Sequence, residues 1–189
     1  MIVASAMALL ALSAQAGEPA SGARVKETGY ARVSLAQSIA RDPDIHAAVV
    51  ASNATHESAE EVRRRDAAWI ANPHDPLRQV IVRAPCSGHL RDLVKGDRLV
   101  VEAFVMNDRG TLVCSINETS DYWQGDEPKW QKTFTEGREA LVEDPAFDVS
   151  TGTYALQVSV PVPEGTRRIG AVTLTLKLHR SEAAAPRKP

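Results

Sequence analysis

At Arg98 the apolar residues change their spacing, and that change divides the chain into two kinds of structure. Before it they recur at helical intervals. Leu35, Ile39, Ile45, Val49 and Val50 share one face, with Ser34 as the predicted cap. Pro43 is tolerated at a break or in a fresh first turn. Residues 55–61 carry the acids of a helix start, which the helix dipole favours. Val62, Trp69 and Ile70 continue that helix's apolar side until Asn72-Pro73 ends it. A third helical piece holds Leu77, Val80, Ile81 and Val82, then Leu90 and Leu93 after the interruption Pro85-Cys86-Ser87-Gly88. From Arg98 the period is two. Residues 98–106 form a strand rich in Val, Asn107-Asp108-Arg109-Gly110 is a tight-turn signal, and residues 111–116 pair back. A short strand is expected at 140–143 and a turn-rich connection at 148–153. Tyr154, Leu156, Val158 and Val160 then alternate with Gln157 and Ser159. After a turn at Glu164-Gly165, Val172, Leu174, Leu176 and Leu178 point inward. Thr173, Thr175 and Lys177 opposite them predict one side of the sheet to be less buried. Helices first and hairpin-linked strands after predict an α+β fold: an antiparallel sheet of about five strands with the N-terminal helices packed on it.

The length of 189 residues, 43% of them hydrophobic, supports one domain with a real core, placed at 33–180. Residues 1–16 read as a cleavable signal peptide: an apolar run closed by Ala14-Gln15-Ala16, although no Lys or Arg precedes it. The run is shorter than the roughly 20 apolar residues a membrane span needs. Residues 17–32 are expected to be a flexible lead-in and 181–189 a disordered tail. Export implies a periplasmic or secreted protein. In such a compartment Cys86 and Cys114 form one disulfide, or else remain two buried thiols; their spacing matches no zinc pattern. A formal net charge of −2 with scattered Lys and Arg excludes a basic nucleic-acid footprint.

The chemically dense stretch is Thr119-Ser120-Asp121-Tyr122-Trp123-Gln124-Gly125-Asp126-Glu127-Pro128-Lys129-Trp130. Three aromatics, three acids, a Lys and a Gln on a connection between strands have the composition of a small-molecule pocket. The same stretch has a purely structural reading, since Trp123 and Trp130, seven apart, would share a helix face and cap the sheet. The candidate ligand-binding residues are Phe104 and Met106 on the strand, Asp121, Tyr122, Trp123, Gln124, Asp126, Lys129 and Trp130 on the segment, and Asp148 beyond it. Asp121, Asp126 and Asp148 would anchor an amine and Lys129 a carboxylate. No GxSxG elbow, HExxH helix or phosphate loop is present, and the five His are dispersed. Asp121, Asp126 and Glu127 lack the spacing of a calcium loop. No enzyme activity, cofactor or metal is therefore expected.

The run Glu102-Ala103-Phe104-Val105-Met106-Asn107-Asp108, followed by the 121–127 block, resembles the periplasmic sensor domains called PDC or Cache. Phe147-Asp148-Val149-Ser150-Thr151-Gly152-Thr153, Val158-Ser159-Val160-Pro161-Val162 and Ile169-Gly170-Ala171-Val172 are similar to that family's later strands. Asp66-Ala67-Ala68-Trp69 is similar to part of its N-terminal helix. The resemblance covers residues 33–178. It implies a PAS-like fold and a pocket between the sheet and residues 121–130 for an amine, an amino acid or a small organic acid. A signalling output in cis is not expected, and a membrane-bound signalling partner is the expectation in its place. A periplasmic protein-interaction or structural module is the alternative. Members that bind amino acids place a Tyr, an Arg and a Trp around the carboxylate. Residues 121–132 hold no Arg, so Lys129 or Lys132 would take that part.

Overall fold

Pro43 decides how the helical half is divided. A computed structural model describes residues 21–148 and 153–178, so the signal peptide and the tail lie outside the described residues. The apolar run 33–50 is two helices, α2 (Val33–Ala40) and α3 (Pro43–Asn53). Asp42 caps α3 by accepting from the amides of Asp44 and Ile45, with Pro43 in the first turn, where its missing N–H costs nothing. Ser34 is not a cap; it lies inside α2, which starts after Arg32 without a side-chain cap. Ser58 caps α4 (Ala59–Ala71) and Asp75 caps α5 (Pro76–Val82). Pro85, expected within an interruption, instead opens α6 (Pro85–Val94). Part of the stretch expected to be a flexible lead-in is also helical: α1 spans Ser21–Tyr30. It is held because Val25 enters the core and Gly29 lies so close to the sheet that a Cβ there would meet Val142 at 2.6 Å. Ile70 and Val80, expected on inner faces, are 60% and 63% exposed; Trp69 and Ile81 take the buried positions beside them.

The strands are β1 (Val100–Met106), β2 (Leu112–Ser115), β3 (Leu141–Val142), β4 (Ala146–Asp148), β5 (Thr153–Glu164) and β6 (Arg167–Lys177). They form one antiparallel sheet in the order β2-β1-β6-β5-β3, with β4 pairing a further part of β5. The expected α+β architecture is present, with six strands because β4 adds a short one. Ala103, Val105, Leu156, Val158, Val160, Val172, Leu174 and Leu176 fill one face, under α1, α2, α3 and α6. A disulfide joins Cys86 on α6 to Cys114 on β2, tying a helix of that layer to the sheet edge.

The opposite face departs from expectation. Thr173 and Thr175 are fully buried, not half-exposed; of that row, only Lys177 reaches solvent. The reason is residues 117–137, which fold back across the sheet. At one end of this second face Phe104, Met106 and Ala171 pack under Trp69, Ile81, Leu112 and Tyr122. At the other end the layer does not close.

Candidate functional site

The segment over the second face is held along its backbone. The Leu112 amide donates to the Tyr122 carbonyl (3.1 Å) and the Gln124 amide to the Gly110 carbonyl (2.8 Å). Asp66 on α4 accepts from the amides of Tyr122 (3.0 Å) and Trp123 (2.9 Å) with one carboxylate oxygen. Gly110, at a φ of 78°, sits so close to Gly125 that a Cβ there would meet the Gly125 Cα at 2.4 Å. Two glycines are needed for that approach, the first also for its left-handed conformation. The chain then makes a short helix, α7 (Pro128–Trp130), running into a π-helical turn at Gln131–Thr135.

These constraints leave a cavity of about 240 Å³ between the segment and the sheet. Its floor is strand: Glu102 and Phe104 on β1, Ala155 and Gln157 on β5. Its roof is Thr119, Ser120, Gln124, Glu127 and Lys129, and its mouth is Glu143, Asp144, Ala146 and Phe147. The floor is polar and internally bonded. The Thr175 hydroxyl donates to Glu102 Oε2 (2.8 Å), Gln157 Nε2 donates to Thr175 (3.4 Å), and Ser159 pairs with Thr173 (2.9 Å). Lys129 is 6% exposed; its Nζ lies 2.9 Å from Glu127 Oε2 and 5.2 Å from the Phe104 ring centre. Gln124, 1% exposed, donates through Nε2 to the carbonyl and carboxylate of Asp121, and among the described residues its Oε1 has no hydrogen-bond partner. Burial pushes the Asp121 carboxyl up and Glu127 adds to this, against the pull of Lys129. Burial likewise raises Glu143, with Lys129 opposing and Glu127 adding.

Of the ten ligand-binding candidates, Phe104, Gln124 and Lys129 line this cavity, and Asp121 stands behind it, bonded to Gln124. The other six are elsewhere or only partly described. Met106 and Tyr122 belong to the second apolar cluster, where Tyr122 packs 6.0 Å from the Trp69 ring and its hydroxyl donates to Glu57. Trp123 bridges to Thr111 and donates its indole N–H to the Arg109 carbonyl. Trp130 stacks on Phe134 and donates to the Asn107 carbonyl. Both indole N–H groups are thus satisfied by backbone carbonyls, the two residues do not share a helix, and Trp123 lines a separate cavity with Glu57, Val62 and Arg109. Asp126 is on the exposed surface. Asp148 ends β4, and its side chain lies outside the described residues.

Sequence reasoning missed Glu102, Gln157 and Glu143. The signal for the first two was present: in the period-two pattern Glu102 shares a face with Phe104, and Gln157 lies across from Thr175. An acid inside Val-Val-Glu-Ala-Phe-Val-Met stands out as a polar residue on a buried face.

No family model matches the chain, and no curated protein matches it in sequence. Among solved structures it is similar to the ligand-binding domain of the Pseudomonas fluorescens chemoreceptor CtaA in complex with L-alanine. The identity there is 10% and the TM-score 0.46, over 83% of this chain and 55% of that one. It is also similar to the ligand-binding domain of the Pseudomonas aeruginosa PAO1 chemoreceptor PctC in complex with GABA: 14% identity and TM-score 0.45, over 86% and 58%. The sensory domain of the Campylobacter jejuni chemoreceptor Tlp3, with isoleucine bound, gives 11% identity and TM-score 0.41, over 82% and 63%. The chain spans a little over half the length of most of these domains.

Proposed function

We propose that this chain is an extracytoplasmic small-ligand-binding domain of the PDC/Cache sensor type, and that its ligand site is the cavity between the sheet and residues 119–129. The observation that carries the reading is the lining itself: buried Glu102, Gln124 and Lys129 and half-buried Glu127 and Glu143 converge on one cavity beside a row of buried polar strand residues. Burying polar groups costs free energy, and a cavity where several of them meet has the composition of a small-molecule site. The volume, about 240 Å³, lies just below that of drug-sized small-molecule sites, which run from about 300 to 1,000 Å³.

The residue runs quoted above support the family. The export-type N-terminus at 1–16 supports the extracytoplasmic setting, as does the Cys86–Cys114 disulfide, which persists where thiols are oxidised. Ligand occupancy would be reported to a membrane-bound signalling partner. The test is a thermal-shift screen of amines, amino acids and small organic acids, because a ligand that binds only the folded state raises the melting temperature. Hits should lose their shift in Gln124→Leu, with the unliganded variant still folded by circular dichroism. Hits that bind Gln124→Leu as well as the parent would move the site out of this cavity.

A further inference from the structure

We infer that the cavity is selective for a compact organic cation, a primary amine or short diamine without a carboxylate. This rests on the reading of the cavity as the ligand site and narrows the chemistry that fits it.

The lining carries four carboxylates, Glu102, Glu127, Glu143 and Asp144, and one cation, Lys129. That lysine is already engaged. Its ammonium lies 2.9 Å from Glu127, and it faces the Phe104 ring, so a ligand carboxylate would compete with an ion pair in place. No Arg lines the cavity. The guanidinium fork or an available ammonium is the strong side-chain partner of a carboxylate, and the lining supplies neither. An entering carboxylate would also meet Glu143 at the mouth. Asp144 beside it is paired with Lys26 at 2.8 Å, whereas among the described residues Glu143 has no ion pair.

An ammonium group suits the same surroundings. It brings three donors, and the cavity offers acceptors: the carboxylates of Glu127 in the roof and Glu143 at the mouth. A cation there also offsets the mutual repulsion of Glu143 and Glu127, which together with burial holds Glu143 above its ordinary range. The volume suits a short chain, and Phe104 and Ala155 provide apolar wall for its methylenes.

A matched set of four-carbon probes separates the possibilities by charge alone: 1,4-diaminobutane, 4-aminobutanoate and butanedioate. Calorimetric titration of the full chain should show the diamine binding at least ten-fold tighter than the zwitterion, with no heat from the dianion. Glu143→Gln, a change at the half-buried mouth, should weaken the diamine by about ten-fold and leave the melting temperature of the unliganded protein near that of the parent. Gln124→Leu should weaken it as well. Tighter binding of the zwitterion or the dianion, still sensitive to Gln124→Leu, would overturn the charge assignment while leaving the cavity as the site. Equal diamine binding by the parent and both variants would overturn the cavity itself. No binding by any of the three probes would overturn the amine assignment, and the broader screen described above would then decide the cavity.

Discussion

The two faces of the sheet are made from the same strands and finished in opposite ways. On the helix-covered face, cross-strand rows such as Ala103–Leu174–Val158 are hydrocarbon throughout. One residue along, the rows Phe104–Thr173–Ser159 and Glu102–Thr175–Gln157 are mostly polar, and apart from half-buried Gln157 they are just as deeply buried. The first face needs only shape and apolar area, which a layer of helices supplies. The second must satisfy the hydroxyls and carboxylate its strands hide, and it does so through side-chain bonds from strand to neighbouring strand until the layer opens at the cavity. A period-two strand therefore places an apolar packing surface and a buried polar surface about one side chain apart. The cost of burying polar groups falls on the face that opens at the cavity.

The sharpest way to break this comparison is to remove volume from the apolar face. Leu174→Ala deletes a fully buried side chain at the centre of β6 and should cost about 2–5 kcal/mol in chemical denaturation. An effect under about 1 kcal/mol would mean that the helical layer collapses into the gap and is not close-packed.

A pair of isosteric swaps sharpens it further. Thr175→Val takes a donor from buried Glu102 and should destabilise by about 1–3 kcal/mol, although it makes the sheet more hydrophobic. Val172→Thr, on the other face, should cost a similar amount, about 1–3 kcal/mol, because the new hydroxyl enters an all-apolar cluster. Equilibrium urea unfolding of both variants checks this. A stabilised Thr175→Val would show that the polar rows are not a satisfied network.

These faces were partly legible in the sequence. The alternation at 154–162 and 172–178 located both long strands and the inward apolar row. It also marked Thr173 and Thr175 as the other face, but with the wrong burial. Strand periodicity reports which residues share a side; it does not report what covers that side, and here the cover is an irregular segment with no periodicity of its own. For the same reason the 119–130 block was recognisable as chemically rich, while the structure places its aromatic residues outside the cavity under residues 119–129. An indole N–H is satisfied equally by a ligand or by a backbone carbonyl, and Trp123 and Trp130 found the carbonyls of Arg109 and Asn107. α1 was missed because its tie to the core consists of one buried Val and the close approach of a Gly, neither of which forms a repeat.

The smallest effect belongs to the edge of the apolar face, where α3 meets α6. His89 Nε2 lies 2.9 Å from Asp42 Oδ1, the oxygen that also caps α3. The Asp42 bond raises the His89 imidazole above its ordinary value, against a small opposing effect of burial and with help from Asp44 across the interface and Asp92 on its own helix. Burial pushes the Asp42 carboxyl up, but bonds from His89 and from the Ile45 and Asp44 amides outweigh it and hold the group low. The His89 contribution is therefore complete below its unfolded value, about pH 6.5, and is lost as pH rises through its higher folded value. The Asp42 contribution is present above its unfolded value, about pH 4, and is lost as pH falls through the lower folded one. The pair stabilises between those limits by about 0.2–1 kcal/mol, the range for partly exposed ion pairs. His89→Gln should remove the alkaline loss and leave the cap bonds of Asp42 to the α3 amides in place. Asp121 and Glu143 also lose stability with rising pH, since burial raises both, so the observable is the difference between the parent and His89→Gln curves. That difference should shrink from about pH 6.5 upward; a constant offset through about pH 9 would show that His89 contributes by packing and not by charge.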